Sequence, residues 1–163
     1  MVHNVKLGKN MRSVSIVGIG ATPFFNGVQN ETYKGLTNGE LFGHAALDAM
    51  KDAGVEPRDV QYFFHGSANP HVLNNCITPN LQVADWFGMR GKGSLSHSEG
   101  CCTGYIALEE AVFAVASGAY DVVLTGCSEQ GTGMPDGNTP DHMRVPLTSE
   151  VLFPDLDSIF DRA

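Results

Sequence analysis

The sequence predicts a layered α/β fold, a mixed but mostly parallel sheet with helices on both faces. Three observations point there. Short β-prone apolar runs recur along the chain, helical stretches separate them, and glycine marks nearly every hand-over. Strands alternating with helices need crossover connections, and crossovers make neighbouring strands parallel.

Residues 1–12 read as a lead-in with scattered charges. Residues 13–19 (SVSIVGI) form a β-rich apolar run closed by glycine, expected as a buried first strand. A turn-rich stretch with Pro23, Gly27, Gly35 and Gly39 follows. Thr37 and Glu40 then have the spacing of a capping box. The Thr hydroxyl can accept from the backbone three residues on while the Glu reaches back. The helix after it places Leu41, Ala45 and Ala49 on one stripe, and Gly54 is a natural stop. Glu56 to Asp59 is a turn, residues 60–64 a second strand, and His65-Gly66-Ser67-Ala68-Asn69-Pro70 a polar exit loop. Residues 79–87 read as helix, the glycines at 88, 91 and 93 as a break, and residues 94–98 as a short strand. A helix over 103–117 stops at Gly118, and residues 119–126, carrying Val122, Val123 and Leu124, make the clearest strand. Residues 13–130 are thus expected as one half-domain, and residues 131–163, rich in Gly, Pro and Asp, as the start of a loop or lid region.

Composition narrows the functional classes. The chain has 163 residues, enough for one ordinary core, and a net charge of −8, which excludes a basic nucleic-acid footprint. It holds no apolar run of membrane-spanning length, and its first apolar run lacks a signal-peptide cleavage pattern, so neither a membrane nor a secretory route is expected. The four cysteines at 76, 101, 102 and 127 show no C-x-x-C spacing. A disulfide framework or a bound metal is therefore not expected, and a reducing cytoplasm is the default.

The adjacent pair Cys101 and Cys102 opens the 103–117 helix, after Gly100. A thiol there feels the positive end of the helix dipole and unpaired backbone N–H donors, and both favour the thiolate. Such a thiolate can take an acyl group from a thioester. Cys101, at the turn itself, is the candidate nucleophile, with Cys102 turned towards packing. The alternative is that both are small residues filling space beneath the helix, since free cysteine is commonly buried and inert. Cys76 and Cys127 read as structural. His97 reads as a structural residue of the preceding strand, and His65, His71 and His142 as surface or loop residues. Gly18-Ile19-Gly20 lacks the third glycine and the following helix of a dinucleotide-binding loop.

Glu99-Gly100-Cys101-Cys102-Thr103-Gly104-Tyr105-Ile106-Ala107-Leu108 resembles the nucleophile segment of the thiolase superfamily, closest to the sterol-carrier-protein-type and archaeal acetoacetyl-CoA thiolases. Three further stretches resemble that family in order and spacing. They are residues 17–24 for the opening strand, residues 45–55 with the following Pro57-x-Asp59-Val60 for the first helix and its exit, and residues 119–129 for the strand after the nucleophile helix. The resemblance covers about residues 13 to 130 and implies the N-terminal, nucleophile-bearing half of a thiolase-like layered fold. It implies Cys101 as the acyl-accepting nucleophile, with Cys102 where the family usually has a small residue. The implied activity is acyl-CoA C-acyltransfer: thiolytic cleavage of a β-ketoacyl-CoA or the reverse Claisen condensation. Coenzyme A and acyl-CoA enter as substrates, with no covalently bound cofactor. The alternatives are a ketoacyl or hydroxymethylglutaryl-CoA synthase, or a non-catalytic thiolase-like scaffolding subunit. The family's activating residues come mainly from a C-terminal half that this sequence does not contain, so a larger or split enzyme is implied. The resemblance also implies a homodimer or higher oligomer, paired through residues 94–98. A β-oxidation-like thiolase for an aromatic acyl-CoA, with a zinc-ribbon/OB-fold partner subunit, is a more specific form of the same expectation.

Overall fold

The computed structural model describes residues 8, 10–23, 36–67 and 79–129, with the side chains of residues 79, 81, 82, 86 and 101 left aside. Helix α1 (Asn38–Ala53) starts as its sequence dictates. Glu40 N donates to Thr37 Oγ1 at 3.2 Å, and Thr37 N donates to Glu40 Oε2 at 2.7 Å. Both halves of the capping box are therefore made, and two otherwise unpaired helix N–H groups are satisfied. At the other end Gly54 adopts φ 67°, and its N–H returns to the last carbonyls.

Three strands follow: β1 (Tyr62–Gly66), β2 (Gly93–His97) and β3 (Val123–Cys127). Helix α2 (Pro79–Trp86) lies between β1 and β2 in the chain, and α3 (Thr103–Ala116) between β2 and β3. The sheet order is β2-β1-β3, with both pairings parallel. Tyr62 pairs with Gly93 on one side and Val123 on the other, so Gly66, His97 and Cys127 end the three strands level. Gln61 helps set the β3 register: its Oε1 accepts from the N–H groups of Asp121 and Val122 at 2.6 and 3.1 Å.

The two-residue period of β1 divides the core. Phe63 faces α1 and α2, in a cluster with Phe42, Met50, Val83, Phe87, Met89 and Leu124. Phe64 faces α3 and packs on Ala107 and Ala111. Helices thus cover both faces of a parallel sheet, as the alternation requires.

Residues 13–19 do not join this sheet. Within 13–23 the backbone makes a single bridge, at Val14, and β1 and β3 pair directly with each other. The segment runs over α1 instead. A Cβ at Gly18 would come within 2.3 Å of Ala49 O, and one at Gly20 within 2.1 Å of Ala45 O, so only glycine allows the approach. Ile19 N donates to Asp52 Oδ2 at 3.0 Å, and the apolar side chains of Ile16, Val17 and Ile19 are left exposed. The lead-in also ends in structure. The Arg12 guanidinium donates to Val115 O at 3.1 and 2.9 Å and to Tyr120 O at 2.6 Å, and pairs with Asp121, capping the C-terminus of α3. The expected loop or lid over 131–163 lies outside the described residues, as do Cys76, His71 and His142.

Candidate active site at the N-terminus of the third helix

A single 3₁₀ turn, Gly100–Cys102, leads from β2 into α3 and carries both cysteines of the pair. Gly100 makes the turn with φ 58°, a left-handed conformation that side chains disfavour. Thr103 then closes it. Its Oγ1 accepts from Glu99 N at 2.8 Å and donates to Gly100 O at 2.7 Å, and its own N–H also reaches Gly100 O. Cys102 N adds a 3.3 Å bond to Glu99 O.

The turn rests directly on the ends of the strands. A Cβ at Gly66 would lie 2.5 Å from the Thr103 methyl, and one at Gly104 2.6 Å from Cys127 Sγ. Glycine at both places lets the first turn of α3 lie against β1 and β3. The close approach that Gly104 permits is therefore used by Cys127 of the same chain. Cys101 lies in this turn, at the C-terminal edge of a parallel sheet, the edge where α/β folds collect their ligand sites. Cys102 is exposed and does not point into packing, because its place on the turn faces away from the sheet. Burial, and then the Glu129 carboxylate, push the Cys127 thiol above its ordinary value, which makes it a poorer nucleophile near neutral pH.

A polar cluster occupies the other face of the same sheet edge. His65 is fully buried within β1, not in an exit loop, because the strand runs two residues further than the sequence pattern indicates. Ser128 Oγ donates to Asn38 O at 2.9 Å, and the His65 Nε2 is 3.0 Å from that Oγ. The hydroxyl has one proton and it is committed to Asn38, so His65 carries its proton on Nε2 and donates. Its Nδ1 lone pair is buried and has no hydrogen-bond partner among the described residues. Burial pushes the imidazole down to about 4, so it is neutral near pH 7. Asn38 Nδ2 donates to Ser67 Oγ at 2.7 Å, tying the start of α1 to the end of β1. His97 ends β2, as the sequence indicates, and its ring stacks on Phe64 with centroids 6.3 Å apart. The Thr103 staple and the His65–Ser128 pair were missed by sequence reasoning. A Thr just before an apolar run that follows Glu-Gly was the one local signal for the first.

Among the described residues no three His, Cys, Asp or Glu side chains converge so as to hold a metal ion. No described helix is long and apolar enough to cross a membrane.

The profile of the family "Thiolase, N-terminal domain" matches residues 14–153, most of the chain. The chain belongs to the thiolase family. It is 29% identical to the acetyl-CoA acetyltransferase of Methanocaldococcus jannaschii over 129 residues, 79% of this chain and 31% of that protein. It thus spans about a third of the length of that curated relative. Among solved structures, acetyl-CoA acetyltransferase from Syntrophomonas wolfei superposes with a TM-score of 0.59 at 23% identity, over 68% of this chain and 27% of that one. The Ltp2-ChsH2(DUF35) aldolase superposes with a TM-score of 0.57 at 24% identity, over 88% of this chain and 32% of that one. These two likenesses establish the thiolase fold.

Proposed function

We propose that this chain is the nucleophile-bearing half of an acyl-CoA C-acyltransferase of thiolase type, with Cys101 as the acyl-accepting residue. The observation that carries the reading is the place of Cys101. It lies in a glycine-initiated turn at the N-terminus of α3, on the sheet edge where substrate would arrive. The positive end of the helix and its unpaired N–H groups favour the thiolate.

In the cleavage direction, the Cys101 thiolate adds to the β-keto carbonyl of a β-ketoacyl-CoA. Backbone N–H donors hold the developing oxyanion. The carbon–carbon bond then breaks, leaving the shortened acyl chain as a thioester on sulfur and the carbanion of acetyl-CoA, which takes a proton and departs. A coenzyme A thiolate then attacks the acyl-enzyme, and the sulfur of Cys101 leaves. Condensation is the same sequence reversed. Both directions need a base to remove a proton from coenzyme A or from the second ester. His65 is not that base, since its Nε2 proton is committed to Ser128 and its ring is buried against Phe42. The base belongs to the rest of the enzyme, in the same or another chain. The likeness in fold to the Ltp2-ChsH2(DUF35) aldolase is in keeping with a partner subunit.

The test is alkylation by iodoacetamide across pH, with each cysteine followed separately and Cys102 replaced by Ser. Cys101 is expected to react near neutral pH well ahead of an unfolded-peptide thiol, and to form an acyl-enzyme with acetyl-CoA visible by intact mass. A Cys101 that reacts no faster than the peptide thiol, with no acylation, returns the chain to the scaffolding reading.

A further inference from the structure

The hydroxyl of Thr103 makes two hydrogen bonds, and both go to the two residues before Cys101. The side chain is 3% exposed, while its partners Glu99 and Gly100 lie at the surface, so the hydroxyl itself has no ready replacement from water. Gly100 O receives both the Thr103 hydroxyl and the Thr103 N–H, which occupies its two lone pairs and fixes where that carbonyl points. The peptide joining Gly100 to Cys101 is planar and trans, so its C=O and N–H point in opposite directions. A carbonyl held towards α3 therefore turns the Cys101 N–H outwards, away from the helix. The methyl has a separate task. It sits where a Cβ on Gly66 would have to go, and so sets the height of the turn above the sheet.

From these contacts we infer that Thr103 is a positioning residue for Cys101. Its hydroxyl fixes the Gly100–Cys101 peptide plane, so that the Cys101 N–H faces the incoming carbonyl, while its methyl seats the turn on β1. The inference rests on Cys101 being the acyl acceptor. It divides one side chain into two functions that substitution can separate. Thr103→Val keeps the methyl and the shape but removes both hydroxyl bonds. Thr103→Ser keeps the bonds and removes the methyl.

The experiment uses the full chain carrying Cys102→Ser, with three readouts: Cys101 alkylation by iodoacetamide across pH, amide exchange at Glu99, and far-UV circular dichroism. In Thr103→Val, Cys101 is expected to react about tenfold more slowly at pH 7, since both hydroxyl bonds to the two residues before it are lost. Its titration moves to higher pH, the Glu99 amide loses protection, and the circular dichroism is unchanged. In Thr103→Ser the rate and titration stay within about twofold of the parent, because the hydroxyl is the operative part. If Thr103→Val leaves the rate, the titration and Glu99 exchange unchanged while parental Cys101 is reactive, the positioning role is overturned and the nucleophile reading stands. If Cys101 in the parent reacts like an unfolded-peptide thiol, the nucleophile reading fails and the positioning role fails with it. Should Thr103→Val not fold, Thr103→Ala set against Thr103→Ser decides, since both lack the methyl: a Cys101 about tenfold slower in Thr103→Ala than in Thr103→Ser supports the hydroxyl's role, and equal rates overturn it.

Discussion

The two faces of the sheet are built from opposite materials. Towards α1 and α2 the chain presents bulk: Phe42, Phe63, Phe87 and Met89 are buried, and ring pairs such as Phe63–Phe87 sit 5.5 Å apart. Towards α3 it presents small residues: Gly66, Gly104, Thr103, Ala107 and Ala111 bring helix and strands together, with Phe64 as the one large buried ring. Burial scales with area, so the first face supplies most of the hydrophobic stabilisation. Close approach needs little side-chain volume, so the second face supplies precision at the turn that holds Cys101. Stability and placement are thereby assigned to different sides of one three-stranded sheet.

Substitutions break or sharpen that division, beginning with the largest effect. Phe63→Ala should cost about 3–5 kcal/mol in denaturant unfolding, from lost transfer and the cavity left behind, while folded molecules keep the Cys101 alkylation rate. A matching drop in that rate would show that the faces are not independent.

Acid should act next, through the same bulky face. Folded His65 titrates at about 4 against 6.5 for an unfolded histidine, so the unfolded chain takes up a proton first. Stability contributed by this site is full above pH 6.5 and lost as pH falls towards 4, by up to roughly 3 kcal/mol at about 1.4 kcal/mol per pH unit. Unfolding midpoints across that range should slope less steeply in His65→Asn than in the parent.

On the other face Gly104→Ala drives a Cβ against Cys127 Sγ. It should cost about 1–3 kcal/mol and slow Cys101 alkylation. Cys127→Ala removes that sulfur, and the double variant should recover most of both losses in a mutant cycle. Without recovery, the contact does not set the height of the helix. The smallest effect falls outside both faces. Arg12→Ala removes an exposed cap and ion pair at the end of α3, and thermal unfolding should record about 0.5–1 kcal/mol.

How much of this could be read from the residues depended on how local the cause was. The capping box at Thr37 and Glu40 and the stop at Gly54 are local chemistry, and the α1 boundaries followed from them. The parallel sheet followed from alternation alone. Residues 13–19 misled because a β-prone apolar run looks the same whether it enters a sheet or crosses a helix. What decides is the contact of Gly18 and Gly20 with α1, thirty residues away in the chain. His65 looked like a loop residue because the strand's last two positions, His and Gly, are polar and small. Its bond to Ser128, the residue after β3, accompanies its burial. The turn that carries Cys101 and Cys102 was legible as glycine followed by cysteines before a helix. The staple that closes it was not, since a Thr hydroxyl can serve many local partners and the sequence does not say which.

The level strand ends also bear on how the chain reaches this state. Every ladder bond of β1 joins it to a partner on the far side of a whole crossover, and no described hairpin offers a short loop to start from. The first productive encounter must close a long loop before any strand pairing rewards it, so this half-domain belongs among slow, high-contact-order folders. Hydrogen-exchange pulse labelling during refolding should therefore find the α1 amides protected before those of Phe63, Phe64 and His65, with the three strand positions gaining protection together.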